Sequence, residues 1–334
     1  IRAVRNHRSA RRGPCAGCSG VVLHPASPFV CCNSSMIARN IIRSRGGALL
    51  HRIWFGLAVL LGLAGPSVQA GLPLLTERSS PHDLAVTGRI EGAPPGSTRY
   101  VRWSDLRALP THKLVLEGEF VAGEQTMTVV YLSDVWKALP RGRGADTVLA
   151  TCTDGYASVY TEAFVAEYRP FVILEINGTG PESWPPPGIN YNPGPYVIFV
   201  STKVAASVAG ILDVGHKRPW GVSKIELANY EERYAAIHQG RWSKLSPRAA
   251  QRRQIWINSC ASCHQGPGGI FGGTKSDRPF EVLAAHAGYN QAYFRRYVRD
   301  PQGVVSGAKM EAHPHYSDAQ LDALIAFITA EPGT

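Results

Sequence analysis

The sequence predicts a multidomain protein: a mostly-β or α+β middle domain over residues 80–240, then an all-α domain over 246–331. Two observations carry this. Between 80 and 240, short β-type runs alternate with Gly, Pro, Asn and Asp, whereas from Ser246 onward the apolar spacing becomes helical. The 334 residues accommodate two ordinary domains behind a leader. With 44% hydrophobic and 18% charged residues, the composition is globular rather than disordered or membrane-embedded.

The net charge of +10 suggests nucleic acid until it is located. Residues 1–70 hold nine of the 35 basic residues and no acid, which leaves 26 basic against 25 acidic side chains, or +1, from Gly71 onward. The basic character belongs to the leader, and nucleic-acid binding loses its compositional support. Within that leader, Met36 is followed by Arg39, Arg43, Arg45 and Arg52, then an apolar run from Ile53 to Ala64. Val68 and Ala70 stand where a signal peptidase reads small residues, so 36–70 is expected to be a signal peptide cleaved after Ala70. Residues 1–35 are expected to precede the true start. The chain is then exported to the periplasm, with membrane association only if the signal stays uncleaved.

In the middle domain, strands are expected at Val129–Leu132, Thr147–Ala150, Phe171–Ile176 and Tyr196–Val200. Asn177-Gly178 is a strong turn signal. Two short helices, each introduced by a serine cap, are expected around Trp103–Ala108 and Leu132–Ala138. His112 and His216 read as surface or structural histidines, Asp154 as a turn residue, and Trp184-Pro-Pro-Pro-Gly as a rigid loop and candidate docking surface.

After the leader, three cysteines remain: Cys152, Cys260 and Cys263. Cys152 reads as a buried free thiol. Cys260-Ala-Ser-Cys263-His264 is a Cys-x-x-Cys-His motif, the attachment signature of c-type haem. Two thiols one turn apart reach the two vinyl groups of the porphyrin, and the adjacent histidine places its imidazole on the iron. Pro247–Ser259 is expected as a helix leading into the motif, capped by Ser246. Gly266 to Gly273 reads as a flexible stretch, Gln291–Arg299 as a helix, and Ser317–Ile328 as a capped helix with Leu321, Leu324, Ile325 and Ile328 as its apolar stripe.

These C-terminal features resemble the class I cytochrome c family, which implies packing of Trp256 against Phe327 across the first and last helices. Where that family often has glycine, eight residues before the first cysteine, this chain has Arg252. Of the three methionines, Met36 and Met127 lie outside the domain. Met310 sits in a loop resembling the family's ligand loop, which implies it as the sixth ligand; His313 and His315 are the rivals. The expected iron ligands are therefore His264 and Met310, with one covalent haem c anchored at Cys260 and Cys263.

The pieces of the middle domain resemble, in order, the molybdopterin-binding domain of the sulfite oxidase family: Trp103–Pro110, Leu132–Leu139, Thr153–Tyr156, Ile173–Gly178, Pro195–Val200 and Trp220–Leu227. That resemblance implies a metal-binding cysteine between the first two pieces, yet Thr111–Thr128 contains none. The domain is expected without molybdopterin. The function expected is electron transfer by a periplasmic monohaem cytochrome, with a donor dehydrogenase or terminal oxidase as partner and no bond-making residue. The alternative is a molybdopterin-dependent oxidoreductase feeding its own haem.

Overall fold

Alternating side-chain direction along apolar strands gives the middle of the chain a sheet buried on both faces. The structure, a computed structural model, describes residues 71–117, 123–187, 189–201, 214–238 and 247–330. The expected signal peptide at 36–70 and the Ser246 cap lie outside these residues. The described strands are β1 (Leu84–Gly88), β2 (Arg99–Val101), β3 (Thr111–Glu117), β4 (Glu124–Tyr131), β5 (Thr147–Cys152), β6 (Ala157–Thr161), β7 (Phe171–Ile176), β8 (Tyr196–Phe199) and β9 (Trp220–Ala228). They form one mixed sheet ordered β2-β1-β9-β8-β7-β4-β3, with β5 joined to β9 and β6 to β5. Among these, β1 and β9 pair in parallel, whereas β4, β7 and β8 run antiparallel.

Phe171, Ile173, Val197 and Phe199 pack with Met127 and Val129 in one core. Their neighbours Val172, Leu174, Tyr196 and Ile198 pack with Val130 in another. A strand buried on both faces needs apolar residues at every position, which is why these segments read as continuous apolar runs. The Asn177-Gly178 turn forms as expected, with φ of 51° and 78°.

Helices of this sheet body are α1 (Trp103–Arg107), α2 (Leu132–Ala138), α3 (Glu162–Tyr168), α4 (Tyr230–Arg233) and α5 (Ala235–His238). The expected serine caps do not occur in α1 or α2. The strand-like residues Arg102 and Tyr131 occupy the cap positions without side-chain capping bonds. Ser104 and Ser133 already lie inside the first turn, because the preceding chain enters each helix in extended form. In the Trp184 loop the indole is buried in the core that holds Phe171 and Met127, and Nε1 donates to the Thr179 carbonyl at 2.8 Å.

The C-terminal body contains α6 (Pro247–Asn258), α7 (Phe280–Tyr289), α8 (Gln291–Arg299), α9 (Pro301–Val304) and α10 (Asp318–Ile328). Ser317 and Gln320 close a reciprocal capping box on α10. Leu321, Leu324, Ile325 and Ile328 are all buried, so the expected stripe faces the core. A sheet with helices in separate segments makes the whole α+β. The two bodies share one compact unit, and Val159 of β6 joins the helical core.

Candidate metal centre

Helix α6 runs straight into the Cys-x-x-Cys-His motif. The Ser259 amide donates to the Ile255 carbonyl at 3.0 Å, and Cys260–Ser262 continues as one 3-10 turn. The amides of Cys263 and His264 both donate to the Cys260 carbonyl, at 3.2 and 2.9 Å. Both thiols and the imidazole therefore leave a single turn. Cys260 and Cys263 are half-buried and reduced. Burial pushes the Cys263 thiol up to about 11, with the Lys275 ammonium opposing.

Burial also holds the His264 imidazole below its ordinary pKa, opposed by the Arg278 main chain and the Asp277 carboxylate. His264 Nδ1 is buried without a hydrogen-bond partner. A neutral imidazole is the form that can ligate iron. The Trp256 ring lies 6.4 Å from that of His264, 5.0 Å edge-on from Phe280 and 6.2 Å from Phe327. The aromatic contact expected between the first and last helices is present, and it walls one side of the motif with apolar surface.

Met310 is half-buried against the same helical core. Gln302 Nε2 donates to the carbonyls of Ala308 and Met310 at 3.2 and 2.8 Å, which fixes the shape of this loop. Farther on, the Tyr316 hydroxyl donates to Ser259 Oγ at 2.8 Å, tying the loop's end to the residue before Cys260. Of the rival ligands, His315 is exposed. The buried His313 ring is stacked 5.5 Å from Tyr316 and lies 5.3 Å from His216. The Gly266–Gly273 stretch, expected to be flexible, is closely packed at its two ends and exposed over Gly268–Ile270. A Cβ on Gly266 would overlap the Phe271 ring, and one on Gly272 the His264 carbonyl.

Two thiols, an imidazole with an orphaned buried nitrogen and a thioether on the same core form a donor set that suits a covalent haem. Gln302, Tyr316 and His216 make contacts the sequence did not reveal, since each meets its partner only through folding. In the sheet body, Cys152 is a buried thiol whose pKa burial raises to about 12, with Asp154 adding to the shift and Lys275 opposing it. His112 stands beside Tyr131, ring centroids 4.9 Å apart. Among the described residues, no three His, Cys, Asp or Glu side chains converge as a metal site.

No family model matches the chain. Over 87 residues the chain is 36% identical to cytochrome c oxidase subunit 2 of Alkalihalophilus pseudofirmus, covering 24% of this chain and 25% of that relative. The chain thus spans about a quarter of the relative's length.

Proposed function

We propose that the chain is an exported, periplasmic c-type cytochrome that carries single electrons on one covalent haem. The observation that carries this reading is the single turn after α6, from which Cys260, Cys263 and His264 project beside the core that also holds Met310. Cys260 and Cys263 would anchor the ring, their thiols adding across its vinyl groups to give thioethers. His264 would hold the iron through a neutral imidazole nitrogen, and Met310 through its thioether. When bound, the haem supplies a reversible one-electron iron couple, and methionine ligation raises its potential. Trp256, Phe280 and Phe327 exclude water from the imidazole side. A raised potential suits acceptance of electrons from a periplasmic dehydrogenase and delivery to a terminal oxidase. Likeness to a relative named as a subunit of cytochrome c oxidase supports a place in such electron transport.

The helical body over 246–331 is read as a class I cytochrome c domain, and the sheet body over 80–240 as a sulfite-oxidase-like domain without molybdopterin. The absence of cysteine from Thr111–Thr128 supports the latter. Expression in a periplasm with haem-maturation machinery, followed by metal analysis and oxidised and reduced spectra, tests both. One iron per chain, no molybdenum and the far-red absorption of thioether–iron ligation are expected. Molybdenum near one atom per chain would move the chemistry to the sheet body; a chain without covalent haem sinks the carrier reading.

A further inference from the structure

One tight turn between β5 and β6, Thr153-Asp-Gly-Tyr156, brings the sheet body against the motif. The Thr274 amide donates to the Gly155 carbonyl at 2.8 Å. Gly155 has φ of +84°, and a Cβ there would overlap Thr274 Oγ1. A Cβ on Gly273 would overlap the Ser262 carbonyl and meet that of Gly155 at 2.9 Å. Side chains are excluded at both glycines, so three backbone segments pass in direct contact.

The segment after Gly273 is bonded to the motif on its other side. The Gly273 amide donates to the Ala261 carbonyl at 2.7 Å, and the Ser276 amide to that of Cys263 at 2.9 Å. Lys275 Nζ pairs with Asp154 Oδ2 at 2.6 Å and lies 5.6 Å from the centre of the Tyr156 ring. The Tyr156 hydroxyl is 2.6 Å from His216 Nδ1. The His216 ring in turn sits 5.3 Å from that of His313, whose amide is held by the Val298 carbonyl at 3.0 Å. His313 follows Met310 by three positions in the chain. Through Asp154 the turn grips the Cys263 segment, and through Tyr156 it reaches the Met310 loop.

We infer that Asp154 and Tyr156 are positioning residues for the metal centre, so that the sheet body helps to place Cys263 and Met310 and thereby sets the haem's potential. This rests on the haem reading above. It gives the sheet body a role inside the electron-carrying unit, beyond that of a docking surface beside it.

Tyr156→Phe, which removes the hydroxyl facing His216 and Ser262, and Asp154→Asn, which removes the charge paired with Lys275, are made in the full chain at nearly constant volume. Haem content by mass, midpoint potential and amide exchange over 260–276 are then compared with the unaltered protein. Full haem content is expected, with a midpoint shift of about 59 mV or more, a tenfold change in the one-electron ratio at fixed poise. Amides between Ser262 and Ser276 should exchange about tenfold faster, as expected for a local opening that has lost one restraint. Potentials and exchange rates unchanged in both variants overturn the inference. If the unaltered chain takes up no haem, the haem reading fails by itself; the exchange rates, which need no haem, still decide whether the turn positions the segment.

Discussion

At the scale of single residues, the centre depends on side chains with different duties. On the proposed haem reading Cys260 and Cys263 would make the attachment covalent, so Cys260→Ser with Cys263→Ser is expected to release all haem when the protein is denatured and extracted, whereas the unaltered chain keeps it. In the proposed haem protein Met310 would supply the thioether ligand to the iron. Met310→Leu should keep the haem bound but let the reduced protein take up carbon monoxide stoichiometrically. Its midpoint should fall by more than the roughly 59 mV that marks a tenfold one-electron change. Unchanged ligand binding in that variant would pass the role to His313, whose ring is instead stacked with Tyr316 and set beside His216. The motif was legible in the sequence because its chemistry lies in five adjacent residues. Tyr156 and His216 were not, because they lie 60 residues apart in the chain and meet only through the sheet.

At the scale of elements, α10 holds the helical body together. Its Leu324 is buried to 1% exposure, so Leu324→Ala should cost about 2–5 kcal/mol of unfolding free energy, read by chemical denaturation. Ser317→Ala removes the capping box and should cost about 1 kcal/mol, with the haem spectrum unaltered. Element boundaries were legible where periodicity and caps are local: Gln291–Arg299 and Phe171–Ile176 form as read. The serine caps of α1 and α2 were misread, because a strand feeding directly into a helix supplies its own extended cap residue. β1, β2, β3, β6 and β9 were not read as strands: β1, β2 and β6 have three to five residues and are defined by their partners more than by composition, while the longer β3 and β9 mix polar and charged residues into the strand.

At the scale of the whole molecule, Lys217 joins the two bodies. It is 1% exposed, and its Nζ donates to the Val159 carbonyl of β6 at 2.5 Å and to Asn258 Oδ1 of α6 at 2.9 Å. Burial lowers its pKa to about 7 from 10.5. Between those values the unfolded chain binds a proton that the folded chain does not, so stability rises with pH across this window. The contribution is complete above 10.5 and lost as pH falls through about 7. Unfolding free energy measured from pH 6 to 10 should climb accordingly, and Lys217→Met should flatten the climb. Equal slopes for both proteins would remove Lys217 as the cause.

What the sequence determined by itself is local: a motif whose spacing is set by one turn of backbone, a capped amphipathic helix, and apolar runs that can only be strands buried on both faces. These follow from chain geometry and side-chain period, which act over a few residues. The tertiary structure alone decided which distant segments meet. Gly155 against Thr274, Lys217 against Asn258 and His216 against His313 are separated by 119, 41 and 97 positions, and each pairing depends on how sheet and helices pack. No residue in such a pair carries a local signal of its partner, because the close approach is set by the path of the whole backbone.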